Sequence, residues 1–139
     1  PSFLIAALKD PDGANLDRVQ VIKGWRDRSG RLHEKVYNVA QSDGRKLRRD
    51  GSLPSVGSTV DVATASYSNT IGDPGLVVVW ADPDFNPNEA CFYYVRVLEI
   101  PTPRWTAYDA RDFGIGEISE EIPMVTQERA YTSPIWYTP

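Results

Sequence analysis

Few residues in this chain have side chains suited to catalysis. His33 is the one histidine and Cys91 the one cysteine among 139 residues. A hydrolytic metal centre needs several nitrogen and carboxylate ligands converging on one ion, so His33 cannot build one alone. We read it as an ordinary strand histidine beside Glu34; the alternative is a ligand or acid–base group completed by another domain. A single cysteine excludes an internal disulfide and a thiolate zinc cluster. Set in an apolar run, Cys91 reads as a small buried hydrophobe. No glycine-rich phosphate loop, nucleophile elbow or Ser-His-Asp set occurs. The chain is therefore expected not to be an enzyme by itself and to hold no cofactor.

Two acidic turns carry oxygen ligands at alternate positions, the arrangement a hard cation such as calcium requires. Asp10-Pro11-Asp12-Gly13 is followed by Asn15 and Asp17, and Asp82-Pro83-Asp84 by Asn86, Asn88 and Glu89. Neither matches a full calcium-loop signature, and Asp-Pro and Asn-Pro are standard turn formers. Ordinary turns are the reading; calcium on Asp82, Asp84, Asn86 and Glu89 is the alternative. The four tryptophans Trp25, Trp80, Trp105 and Trp136 invite a carbohydrate platform. Trp80 and Trp136 lie in apolar strands and are expected in the core. Trp105, beyond a strand end and next to prolines, is expected to be exposed or interfacial.

The elements that must position these residues are strands. Period-two alternation marks residues 16–25 (LDRVQVIKGW) and 32–40 (LHEKVYNVA) as a hairpin turning at Gly30. Residues 41–57 read as a long exposed loop, and the basic run Arg45-Lys46-Leu47-Arg48-Arg49 as solvated, with an anion patch as the alternative. Residues 58–67 (STVDVATASY) read as a half-buried strand. Residues 76–80 (LVVVW) and 90–100 (ACFYYVRVLEI) read as central strands. Prolines then force a rigid excursion over residues 100–105, because proline donates no ladder hydrogen bond. Residues 107–124 read as an acidic loop, and residues 126–131 with 135–137 as one last strand interrupted by proline. Six to eight strands without a long amphipathic helix predict an all-β fold in one domain, residues 1–139: a two-layer β-sandwich, immunoglobulin-like or Greek-key, with long loops. Hydrophobic residues at 41% and charged residues at 24% are globular proportions. The net charge of −4 argues against nucleic acid as a partner. No apolar run approaches the roughly 18 residues that span a bilayer.

Residues 90–105 (ACFYYVRVLEIPTPRW) and 128–137 (ERAYTSPIWY) resemble the tail of PHP-type metal-dependent hydrolases, the polymerase-and-histidinol-phosphatase superfamily, including its carbaryl-hydrolase-like members. Together with residues 10–17 (DPDGANLD), 22–25 (IKGW) and 33–37 (HEKVY), they are most similar to a large bacterial domain-of-unknown-function family related to those hydrolases, whose members often carry export signals. The resemblance spans almost the whole chain. It implies a C-terminal fragment of a larger protein, secreted or periplasmic, whose upstream domain holds the histidine and aspartate metal ligands. None of those ligand motifs occurs here, so no ligand assignment transfers. The implied role is a non-catalytic C-terminal accessory module, with the catalytic domain of the same polypeptide as partner and Pro101, Pro103, Arg104, Trp105 and Tyr108 as the docking or entrance-lining residues. The alternative from a different class is a carbohydrate-binding β-sandwich module.

Overall fold

A computed structural model describes residues 1–139. The chain runs through β1 (Ser2–Leu8), β2 (Leu16–Arg26), β3 (Leu32–Gln41), β4 (Gly75–Ala81), β5 (Cys91–Glu99), β6 (Thr102–Pro103), α1 (Trp105–Asp112), β7 (Val125–Thr126), β8 (Arg129–Tyr131) and β9 (Ile135–Tyr137). Pairing is antiparallel throughout, and the fold is an all-β sandwich of two main layers. The larger sheet has the order β3-β2-β5-β8, with β9 also on β5; the smaller is β1-β4. β6 and β7 form a separate short pair. No helix is long and apolar enough to cross a membrane.

Alternation explains which face each strand turns inward. Ile5 and Leu76 of the small sheet meet Val19, Val21, Cys91 and Tyr93 of the large one, and Leu16 closes the cluster. Burying each such aliphatic side chain contributes roughly 1.5–3 kcal/mol, so this interlayer core holds the two sheets together. β2 is the most buried strand, because β3 and β5 flank it. On its other face, Gln20 ties three strands together, donating to Asn38 (2.8 Å) and accepting from Arg96 (2.8 Å).

The hairpin and the central position of residues 91–99 match the sequence expectation; the expected last strand over residues 126–131 and 135–137 is instead broken into β7, which pairs with β6, and β8 and β9, which pair with β5. β8 and β9 pair with opposite ends of β5. Between them, Thr132 bonds Val95 through its backbone N–H and its hydroxyl, each at 3.0 Å.

Four expectations are corrected. Residues 58–67 form no strand: only an isolated Asp61–Ser66 bridge remains, because no neighbouring strand offers them a ladder. Ala65, with φ at 47°, closes a local turn there instead. Residues 76–80 are not central: Val77 and Val79 are 71% and 73% exposed, because the small sheet has nothing on its outer face. Trp136 is not in the core but 71% exposed, since β9 turns it away from the interlayer space. The expected acidic loop begins as helix α1. It closes on a glycine cap in which Ile115 N–H donates to Ala110 O and Gly114 takes φ of 63°, a conformation only glycine adopts without penalty.

Candidate functional site

The acidic turn at residues 82–89 supplies a buried polar centre. Asp82, whose side chain is fully buried, lies 2.6 Å from Lys23 Nζ. It accepts a second hydrogen bond from the Tyr93 hydroxyl at 2.7 Å. Lys23 donates again to Asp84 O at 2.7 Å, and its ammonium stands 5.3 Å from the Trp25 ring centroid. Burial pushes the Asp82 carboxyl up, but the bonds from Lys23 and Tyr93 outweigh it and hold Asp82 below the ordinary carboxylate range. Burial drives the Tyr93 hydroxyl upward, so it stays protonated and donates. Asp84, more exposed, faces Lys35 and accepts from the Tyr37 hydroxyl at 2.7 Å; the Lys35 bond is the larger cause of its lowered pKa.

Asp82 and Asp84 thus each face a lysine rather than one another. Asn86 closes a turn on the N–H of Asn88, and Glu89 N–H donates to Asn86 O. No group of three or more His, Cys, Asp or Glu side chains is arranged to surround a metal ion.

The first acidic turn is also engaged internally. The Asn15 amide donates to the carbonyls of Asn69, Ile71 and Gly72. Asp17, 1% exposed, pairs with Arg45 Nη2 at 2.5 Å and accepts from Gln127. Arg45 therefore anchors the long loop from inside, a correction to the solvated reading of the basic run; Lys46, Leu47, Arg48 and Arg49 are exposed. His33, in β3, bonds Asp27 at 2.8 Å and stacks on Trp25. Cys91 is buried, with its thiol toward the Tyr93 hydroxyl.

Three apolar patches also face outward. The outer face of β1 and β4 carries Leu4 (75% exposed), Leu8 (82%), Val77 (71%) and Val79 (73%), with Ala6 between the two leucines and the Ser2–Ala81 pair at one end. Neither strand contains a charged residue. On the opposite side of the sandwich, Phe92 lies so flat over Gly24 that a Cβ there would stand 2.4 Å from its ring. Trp136 meets Phe92 at 5.0 Å between centroids, and Leu32 and Glu34 help line the same groove of about 580 Å³. A third patch comes from the proline segment and α1. Trp105 and Tyr108 are exposed, Pro101 and Arg104 half-buried, and Pro103 buried as part of β6. The aromatic residues are thus the outward part of the expected docking segment. Sequence reasoning missed the β1/β4 face, although the absence of any charge in SFLIAAL and GLVVVWA was its signal.

No curated protein and no solved structure matches the chain. A family model described as "Protein of unknown function (DUF3604)" matches residues 1–139. The chain, matched over its whole length, belongs to the DUF3604 family.

Proposed function

We propose that this chain is a non-catalytic accessory module that docks against another domain of a longer polypeptide, a PHP-like metal-dependent hydrolase. The uncovered β1/β4 face carries this reading. An uninterrupted aliphatic surface on a folded domain marks an interaction site, and removing it from water is favourable in proportion to its area. The exposed Trp105 and Tyr108 extend the candidate contact. The hydrolase assignment for the partner rests on the sequence resemblance, and its metal ligands would lie in that other domain.

The test places charge on the face. Val79→Lys and Leu4→Lys point into solvent, so residues 1–139 alone should melt within a few degrees of the parent chain. In the longer polypeptide the same changes should separate the module's unfolding from that of its neighbour. A longer polypeptide that melts and turns over unchanged with both substitutions would overturn the proposal. The exposed Trp136 beside the Phe92 groove supports a second reading, a carbohydrate-binding module. Retardation of the chain on oligosaccharide-containing gels, abolished by Trp136→Ala, would favour that reading.

A further inference from the structure

The β1/β4 sheet has an open edge as well as an uncovered face. Lys9 N–H donates to Pro74 O at 2.9 Å, and Asp82 N–H to Pro1 O at 3.2 Å. Between those bonds the register runs from Leu8↔Gly75 to Ser2↔Ala81. Antiparallel alternation therefore assigns Phe3, Ile5 and Ala7 to the pairs bonded to β4. The N–H and C=O groups of Ser2, Leu4, Ala6 and Leu8 point the other way. β1 pairs with β4 alone, so these groups form an unpaired edge.

Edge strands are normally blunted by charge, proline or a bulge, because an open edge recruits further strands. β1 has none of these: its sequence is SFLIAAL and its register is unbroken. Beside this edge lies a cleft of about 450 Å³, with Ala6 and Leu8 on one wall and Val97 and Ala130 on the other.

One end of the cleft is acidic, with Glu99 and Glu128 in its lining and Asp10 beside them. Burial, then the charges of Glu128 and Asp10, push the Glu99 carboxyl upward. The Lys9 ammonium does not neutralise this end by direct pairing; it donates to the carbonyls of Asp10, Pro11 and Gly13 at 2.9, 2.9 and 3.1 Å. The remaining cation in the lining, Arg129, is exposed.

We propose that the free edge of β1 receives an additional strand from the neighbouring domain, an extended apolar segment with a lysine or arginine opposite Glu99 and Glu128. The strand would satisfy the outward amides of β1, and its basic residue would complement the acidic end. This inference rests on the docking reading above and specifies how docking is achieved.

Ala6→Pro tests it, because the Ala6 N–H points outward and its removal leaves the β1–β4 ladder intact. In the longer polypeptide the amides of Leu4 and Leu8 should exchange with solvent at least about tenfold more slowly than in residues 1–139 alone. Ala6→Pro should abolish that protection. If the proline also perturbs residues 1–139, Glu128→Lys serves in its place, lowering the protection through repulsion of the incoming cation. Unprotected Leu4 and Leu8 amides, with Val79→Lys still uncoupling the domains, would overturn the added strand and leave docking in place. Unprotected amides with no effect of Val79→Lys would overturn both.

Discussion

Replacing Asp82 with alanine removes the acceptor at the centre of the buried polar group and leaves the Lys23 ammonium enclosed, its side chain 4% exposed, without its carboxylate. A single broken partner in a buried ion pair costs about 3–5 kcal/mol, because the remaining charge keeps its desolvation penalty. The Tyr93 hydroxyl also loses its acceptor at 2.7 Å, which places Asp82→Ala toward the upper end of that range. At ~3 °C per kcal/mol for a domain of this size, the melting temperature should fall by about 10 °C or more. Urea unfolding at neutral pH measures the loss directly. The double variant Lys23→Met/Asp82→Ala should recover part of it, because no charge is then left buried, giving a coupling energy of about 1–3 kcal/mol. The pH dependence has a definite sign. Asp82 sits below its ordinary value of 3.8 in the folded chain, so its contribution is complete above the unfolded pKa. It disappears as pH falls through the folded one. Asp82→Ala should flatten that acid limb. A loss below about 1 kcal/mol, or strict additivity in the double variant, would refute the claim that this pair acts as a buried, mutually dependent unit.

Two glycines separate conformational cost from steric cost. At Gly114 a Cβ would meet nothing within 4 Å, so Gly114→Ala should cost only about 1–2 kcal/mol for the left-handed backbone. At Gly72 (φ 74°) a Cβ would stand 2.6 Å from Ile100 Cγ2 and 2.9 Å from Leu16 O, so Gly72→Ala should cost measurably more; equal losses in thermal unfolding would show that this crowding is absent. Arg45→Ala strips Asp17 of its closest cation and should destabilise by about 3 kcal/mol. It should also speed exchange of the Ser42 amide, which donates to Asp17 O. Asp27 is held far below its ordinary value by the Ser29 hydroxyl, then by His33 and the Arg31 N–H. Its support of the hairpin turn is complete above its unfolded pKa and should vanish only in strong acid, as followed by chemical shifts of Gly30 between pH 1 and 5.

The strands read most clearly from sequence are those whose information is local. β2 and β3 alternate with period two around a glycine turn. β5 is aromatic and β-branched over its whole length, which suits a strand with neighbours on both sides. The docking segment was partly legible: proline excludes a continued ladder, and Trp105 is exposed as that excursion implies. The helix that follows was not read, although Gly114 two residues beyond Asp112 is a terminating signal.

Composition and short-range alternation established a β-rich globular chain with one histidine and one cysteine, because residue type and periodicity act within a few residues. Which apolar strand lies at the centre was decided only in three dimensions. LVVVW and CFYYVRVLE look equally suited to burial, but hydrophobicity states what a side chain tolerates and not what will cover it. The same holds for charge. Lys23 and Asp82 are 59 residues apart in the chain, and only folding brings that carboxylate to a lysine.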